Sequence, residues 1–448
     1  MKKLIKKFTP DFLLSFYHRA LSKLAAIYYG NPSKKMIIIG ITGTKGKTSA
    51  ANFIWSCLSS AGFKVGQTGT ANIRIGDKEI INPHHMTMPG RFILQKYLKD
   101  MADAGCKFAI VETTSEGIKQ WRHSGIDYDV AVFTNLYPEH LTSHGGSFDK
   151  YREAKGKLFS SLKPAGVKNK VLGGEFIPKI IITNTDSEFG EYFSSFPADK
   201  KITYGIASPA EFRAVEINNS NKNGWPASTQ DGAEFVVGGE KYELSIPGEF
   251  NIENALPAIA ICKAFGIKSE AVQLGLKSLK NIPGRMERID AGQPFKVYVD
   301  YAHQKESMEA LLLSSRKMIS SEGKVIVLLG AEGGGRDVAK RAAMGEVTAR
   351  LADLVVVSNV DPYEDDPVEI AEGIARSAEA HGKVRNENLF VVLDRRAGIH
   401  KALTLAKPED IVLITGKGSE QSMVIYGKTI PWDDREIVKE ELFKVSSM

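Results

Sequence analysis

The run Gly40-Ile41-Thr42-Gly43-Thr44-Lys45-Gly46-Lys47-Thr48-Ser49 has the residue types and spacing of a phosphate-handling loop. It follows an apolar stretch and opens a helical one. Backbone N–H groups of Gly43, Thr44, Lys45 and Gly46, with the positive end of the helix, would therefore surround one anion. Lys47 would neutralise β- and γ-phosphate charge of ATP, and Thr48, followed by Ser49, would offer a hydroxyl to Mg²⁺. The run departs from the usual G-x-x-x-x-G-K-[ST] form, because Ile41 stands where the first glycine belongs, flanked by Gly40 and Gly43. A glycine turn without a ligand is the plainer reading, and the strand–turn–helix setting weighs against it.

Further residues suit the same chemistry. Glu112 ends an apolar run, where a carboxylate would lie at the carboxyl edge of a sheet. Phosphoryl transfer needs divalent cations, so Glu112 and His140 are the candidate Mg²⁺ ligands, against a solvated glutamate and a core histidine. Lys155, taken by itself, reads as a surface lysine, since a bare ammonium beside Mg²⁺ would be repelled. Asn251 and Asn254 each offer a donor and an acceptor to a base edge, or cap the helix they open. Arg336 follows a glycine run and could clamp a carboxylate, and Glu420 in a later glycine-rich turn could hold an ammonium; a surface salt bridge is the alternative for both.

These residues need elements to position them. Apolar runs at 36–41, 108–111, 130–133, 179–182, 296–299, 325–329, 354–357, 389–393 and 411–414 alternate with helix-length segments such as Lys47 to Ala61. That alternation predicts an α/β protein: a central P-loop ATPase domain with a mostly parallel sheet, then a Rossmann-like doubly wound domain. A polar, Asn-, Gly- and Ser-rich region from Ala207 to Glu243 suggests an antiparallel excursion or loop. The boundary falls near Ile282-Pro283-Gly284, after a helical stretch from Asn254 to Leu279. The expected organisation is an N-terminal amphipathic segment (1–35), an ATP-binding domain (36–283) and an amino-acid-binding domain (284–448).

At 448 residues, 43% hydrophobic and 25% charged, the chain has the composition of a soluble globular protein of two or three packed units. The net charge of +6 is modest and reads as spread along the chain; without aromatic-interleaved basic stretches it argues little for nucleic acid. Cys57, Cys106 and Cys262 show no metal or redox spacing and read as buried thiols in a reducing cytoplasm. No run approaches the roughly 18 apolar residues of a membrane span. The lysine-rich start lacks the apolar core and cleavage site of a signal peptide. Thr9 reads as an N-cap and Pro10 as the first helical residue of an amphipathic helix bearing Leu13, Phe16, Tyr17, Leu21, Leu24 and Tyr28. That face is expected to pack on the protein body, with weak contact to an anionic membrane surface as the second reading.

The displaced glycine opens a resemblance to the Mur ligase family, whose members carry Gly-Thr-x-Gly-Lys-Thr. Val111 to Gly117 resembles the family's acidic metal segment. Thr134-Asn135-Leu136 with Glu139-His140-Leu141, then Tyr151, Ala154-Lys155 and Leu158-Phe159, resembles its His and Lys segment. Gly248 to Ala255 is similar to the adenine-contacting turn, and Pro283 to Glu287 and Asp300 to His303 to the hinge and ribose segments. Gly334-Gly335-Arg336-Asp337 with Lys340-Arg341, and Gly416-Lys417-Gly418 with Glu420, look like the C-terminal motifs of the tripeptide-forming MurE branch. The matches run in order from Met36 to Phe443.

The resemblance implies ATP and Mg²⁺ as cofactors, with Thr48, Glu112, His140 and an N-carbamoylated Lys155 around the metal. It assigns nucleotide contacts to Asn251, Asn254, Arg285 and Asp300, the last two reaching ATP from the C-terminal domain on closure. It assigns substrate contacts to Thr87, Thr114, Ser115, Arg122, Asp361, Pro362 and Gly416, gives Arg336 the α-carboxylate of an incoming amino acid, and makes a muramoyl dipeptide precursor the other small-molecule substrate. The implied reaction is amide ligation through an acyl phosphate.

Two departures shape the expectation. The diaminopimelate-adding branch has Asp-Asn-Pro-Arg, whereas this chain reads Val360-Asp361-Pro362-Tyr363 with Glu364 and Asp365 following. Loss of that arginine and the nearby acids favour lysine or ornithine as acceptor. The family's UDP-gripping N-terminal domain is expected to be missing or reduced to one helix, since 35 residues precede Met36, and Glu116 replaces a histidine. Rival readings are a ligase of the same superfamily on folate or lipid-linked peptidoglycan, and an ATP-binding scaffold without ligase chemistry.

Overall fold

A computed structural model describes residues 11–84, 86–139, 141–162, 170–219, 232–335 and 338–446. Thr9, Pro10, His140 and Arg336 lie outside them. Two compact units emerge, one of Met1–Asn218, Glu234–Leu244 and Asn251–Leu279, the other of Asn219–Ala233, Ser245–Phe250 and Lys280–Met448.

The first unit is built on strands β1 (Ile37–Thr42), β2 (Val65–Thr68), β3 (Asn72–Ile75), β4 (Lys78–Ile81), β5 (Phe108–Glu112) and β6 (Val130–Phe133). After a small hairpin of β7 (Val171–Leu172) and β8 (Glu175–Phe176) come β9 (Ile180–Asn184), β10 (Lys200–Gly205), β11 (Phe212–Asn219), β12 (Ala233–Val237) and β13 (Glu240–Leu244). One sheet orders them β13-β12-β11-β10-β9-β6-β1-β5-β2-β3-β4. β1 pairs in parallel with β5 on one side and β6 on the other, so the chain crosses over it between those two strands. Such a switch point opens a crevice at the carboxyl ends of the strands. All six residues of β1 are buried, as suits a strand covered on both faces. A Cβ on Gly40 would lie 2.7 Å from the Tyr128 ring and 2.8 Å from Leu158, so this glycine serves core packing.

The described residues of the polar region after Ala207 include three strands of this sheet. β11 runs parallel to β10, and β12 and β13 extend the same edge. Their alternating buried and part-exposed residues were obscured by the Asn/Gly/Ser composition between them. The helical stretch expected from Asn254 to Leu279 consists of two helices, Phe250–Ala264 and Ser269–Ser278, with Gly266 at a positive φ of 68° between them.

The second unit holds β14 (Glu287–Arg288), β15 (Lys296–Asp300), β16 (Val325–Leu329), β17 (Leu354–Val357), β18 (Leu389–Val391) and β19 (Ile411–Thr415), ordered β14-β15-β19-β16-β17-β18. All its pairings are parallel except β14 with β15. A hairpin of β20 (Ser422–Ile425) and β21 (Lys428–Pro431) follows. Val297, Leu328, Val356 and Val412 are fully buried in its core, each worth about 2 kcal/mol of apolar transfer.

The first helix, Asp11–Tyr28, corrects an expectation. Its buried residues are Ser22, Ala25 and Ala26, while Leu13, Phe16, Tyr17, Leu24 and Tyr28 are exposed. A Cβ on Gly125 would come within 2.9 Å of the Ser22 carbonyl oxygen and 3.0 Å of Ala26, so the helix approaches the body along its small residues. Among the described residues no helix is long and apolar enough to cross a membrane. Cys57, Cys106 and Cys262 are buried free thiols.

Candidate active site

The phosphate loop is shaped by what lies against it. A Cβ on Gly43 would fall 1.9 Å from the Thr134 hydroxyl oxygen, and one on Gly46 would fall 2.2 Å from Oδ1 of Asn254. Gly46 also has a φ of 78° as it caps the Lys47–Ser60 helix. From the segment after β6, Asn135 accepts the Lys45 N–H at 2.8 Å, and Thr134 donates to the Lys45 carbonyl at 2.6 Å. The Lys45 ammonium pairs with Glu139, and the Thr44 hydroxyl lies 3.1 Å from that of Tyr151. The Lys47 ammonium donates to the carbonyls of Gly43 and Thr44, both at 2.9 Å.

Glu112, fully buried at the end of β5, accepts the Thr48 hydroxyl at 2.9 Å. It also accepts the N–H and the hydroxyl of Thr70, each at 3.1 Å. Thr70 in turn lies 2.8 Å from the Thr87 hydroxyl, which brings a residue expected to bind substrate to the rim of this cluster. Thr70 itself went unread in the sequence; its one signal is its place after β2, at the same sheet edge as Glu112.

Lys155 is buried, not a surface lysine. It lies on the Phe148–Ser160 helix, donates to the Gly43 carbonyl at 2.7 Å and stands 4.6 Å from the centre of the Tyr151 ring. Burial, and then the nearby Lys47 charge, holds its amine well below the usual lysine range. The amino groups of Lys47 and Lys155 thus converge on one loop carbonyl.

The remaining first-unit residues sit apart in role. Thr114 caps the short Ser115–Lys119 helix by accepting the Gly117 N–H at 3.1 Å, and Ser115 is its buried first residue. Arg122 donates to the Met88 carbonyl and, at 2.8 Å, to Gln120, while Glu116 accepts from Ser143. Asn251 and Asn254 lie within the helix that begins at Phe250, so neither is its N-cap; Asn254 donates to Asn251 at 3.2 Å beside Gly46. Between them Glu253 bonds to Asn184, and burial raises its carboxyl to about 7.

In the second unit, Asp300 accepts the N–H groups of Met286 and Ala302, both at 2.7 Å, and the Arg285 guanidinium lies 4.4 Å from the Tyr301 ring centre. Asp361 does not stand open to a ligand ammonium. It takes the buried Lys417 ammonium at 2.7 Å and the Val424 N–H at 2.7 Å. Lys417 also reaches Glu420 at 2.8 Å, and Tyr301 donates to Glu420 at 3.3 Å. Gly416 has a φ of 106° against Val360, and the Pro362 carbonyl backs onto Gly333, where a Cβ would come within 2.1 Å. Lys417 lies between Gly416 and Gly418, where the sequence signals no role for it; its burial shows only in three dimensions.

Residues 41–262 match the Mur ligase middle domain, and residues 284–418 match the Mur ligase, glutamate ligase domain. A UDP-N-acetylmuramyl-tripeptide synthetase of Roseiflexus sp. (strain RS-1) is 38% identical over 424 residues, covering 93% of this chain and 80% of its own. This chain belongs to the Mur ligase family. A UDP-N-acetylmuramoyl-L-alanyl-D-glutamate--2,6-diaminopimelate ligase of Clostridium tetani is 34% identical, with 94% and 81% covered. A solved structure of a ligase with that same descriptive name shares 27% identity at a TM-score of 0.59, covering 91% of this chain and 78% of that one. This Mur ligase is therefore a MurE-like, ATP-dependent amide ligase, and the family uses Mg²⁺.

The residues present fit the metal. Among the described residues no group of three or more His, Cys, Asp or Glu side chains gathers, but Mg²⁺ keeps several waters and takes one or two carboxylates plus substrate phosphates. The buried Thr48–Glu112 pair beside the phosphate loop supplies such a donor set.

Proposed function

We propose that this Mur ligase joins a diamino acid, lysine or ornithine, to the dipeptide of a muramoyl precursor. The observation that carries the reading is the Thr48–Glu112 hydrogen bond beside a loop on which Lys47 and Lys155 converge. The dipeptide's free carboxylate attacks the γ-phosphorus of ATP, releasing ADP and forming an acyl phosphate. The amine then attacks the acyl carbon, the C–N bond forms, inorganic phosphate leaves and the amine's proton passes to solvent. Lys47 and the loop N–H groups hold the phosphates in line, so the acceleration comes from positioning and charge neutralisation. Thr48 and Glu112 would hold Mg²⁺, with His140 as a further ligand; bound there, the metal offsets charge on the transferred phosphoryl group.

Lys155 supports the same reading through its basicity. A neutral buried amine can attack CO₂ and lose a proton to give a carbamate, and the depressed basicity of Lys155 favours that neutral form. Labelling with ¹³CO₂ should give a carbamate carbon signal that Lys155→Met lacks. Equal signals in both proteins would remove the modification from this site.

For the acceptor, Tyr363 replaces the arginine that would meet a distal carboxylate. The Lys417–Asp361–Glu420 cluster is paired within itself, so the preference for a cationic acceptor rests on Tyr363 and the neighbouring acids Glu364 and Asp365. Arg336 would take the acceptor's α-carboxylate. The names of relatives such as the Clostridium tetani enzyme favour 2,6-diaminopimelate as the rival. We take 36–283 as the ATP-binding part and 284–448 as the amino-acid-binding part. The test is phosphate release over a panel of amino acids with UDP-linked and UDP-free muramoyl dipeptides. Release should require carboxylate and amine together and vanish in Lys47→Ala; release without the amine would make the protein an ATPase.

A further inference from the structure

The Asp11–Tyr28 helix carries an apolar face that the body of the protein leaves uncovered. At 100° per residue, Leu13, Phe16, Tyr17, Leu24, Ile27 and Tyr28 fall within an arc of about 120° running the length of the helix. All six are exposed, Phe16 at 73%, Tyr28 at 72% and Ile27 at 64%. The opposite face is the one in contact: Ser22, Ala25 and Ala26 are buried, and Trp121 donates to Ser15 at 2.6 Å while lying under Arg19. The stripe continues onto the Arg91–Asp103 helix, where the exposed Phe92 ring lies 6.0 Å from that of Tyr28. A contiguous apolar surface of this kind marks an interaction site.

Charge identifies the partner. The positive charge of the chain is not spread evenly. Residues 1–35 hold eight lysines and arginines against a single acid, Asp11, so the remainder is close to neutral and the +6 is concentrated here. Residues 12–28 contain no carboxylate, and Lys23, Lys34 and Lys35 are exposed around the stripe. A second copy of the chain would bring like charge against like. An anionic lipid surface meets both features at once, the cations at the headgroups and the apolar arc about 5–10 Å deep, with Tyr17 and Tyr28 suited to the boundary.

We propose that this helix docks the enzyme on an anionic membrane surface, lying in the plane of the interface. The proposal stands apart from the ligase reading, because no residue of the phosphate loop or the Lys417 cluster takes part.

Cosedimentation with phosphatidylcholine vesicles, alone and mixed in equal parts with phosphatidylglycerol, tests it on the full chain. Binding to the mixed vesicles is expected, with about tenfold or greater weakening at roughly 0.5 M salt, where surface charges are screened. The double variant Phe16→Glu/Ile27→Glu should lose that binding while its turnover on a water-soluble donor stays unchanged, which also reports that it is folded. Lys34→Glu/Lys35→Glu should weaken binding with turnover again unchanged. Failure of the wild type to bind the mixed vesicles overturns the proposal. So does equal binding by the Phe16→Glu/Ile27→Glu variant, which would mean adsorption by charge alone. A dimer in sedimentation velocity that the same variant dissolves would show that a second copy covers the stripe, and would overturn it equally.

Discussion

The Thr48 hydroxyl donates to the Glu112 carboxylate at 2.9 Å, joining residues 64 positions apart. The bond ties the start of the Lys47–Ser60 helix to the end of β5 across the register Ile41–Glu112, and it aims a buried negative charge at the phosphate loop. Glu112→Gln keeps the shape and removes the charge. It should lower kcat by about a hundredfold or more and raise the half-saturating Mg²⁺ concentration about tenfold. Phosphate release titrated with Mg²⁺ checks this, and an unchanged Mg²⁺ dependence would take Glu112 out of the metal site.

Gly46 faces Asn254, and a β-carbon there would sit 2.2 Å from the amide oxygen at a φ of 78°. Gly46→Ala should cost about 1–3 kcal/mol from the backbone conformation, with further loss from the clash, and should weaken ATP binding. Adding Asn254→Ala relieves the clash and leaves the backbone term. The double variant is therefore expected to be more stable than the sum of the singles by about 0.5 kcal/mol or more. Denaturant unfolding of the four proteins measures it, and strict additivity would count against the contact.

Lys417 is buried between Asp361 and Glu420. Lys417→Met strands two carboxylates and should destabilise the protein by about 3–5 kcal/mol. Combining it with Asp361→Asn should restore part of that loss. Chemical denaturation gives the stabilities, and the KM for the amino acid gives the second readout: a rise is expected if the cluster frames the acceptor.

Glu253 has its carboxyl raised by burial to about 7, from an unfolded value near 4.5. Between those values the folded state binds more protons than the unfolded, so its contribution to stability is full below about 4.5 and declines as pH rises to about 7. The decline amounts to at most about 3 kcal/mol. Glu253→Gln, which still accepts from Asn184, should flatten this slope and be the more stable protein above pH 7. Parallel unfolding curves across the window would refute the assignment.

How much of this was legible beforehand varies residue by residue. The loop from Gly43 to Ser49 and the strand carrying Glu112 were readable because their signals are local: an apolar run, glycines where the backbone turns, then helix-forming residues. β16 and β17 fall where their apolar runs put them, and β1 and β5 shift by a residue at their ends. The strands after Ala207 were less legible, because alternation over five residues is easily masked by polar neighbours.

By itself, then, the order of residues determined the α/β alternation, the phosphate loop and the ordered motifs that mark a Mur ligase. Only the tertiary structure decided which side chains are buried and what each one pairs with. Lys155 meets the Gly43 carbonyl across 112 positions, and Lys417 meets Asp361 across 56. A helical pattern likewise predicts an apolar face at Phe16 and Tyr28 without saying whether protein covers it; here Ser22, Ala25 and Ala26 make the contact, and the larger side chains face outward. Burial and charge pairing depend on neighbours distant in sequence, and no local periodicity carries that information.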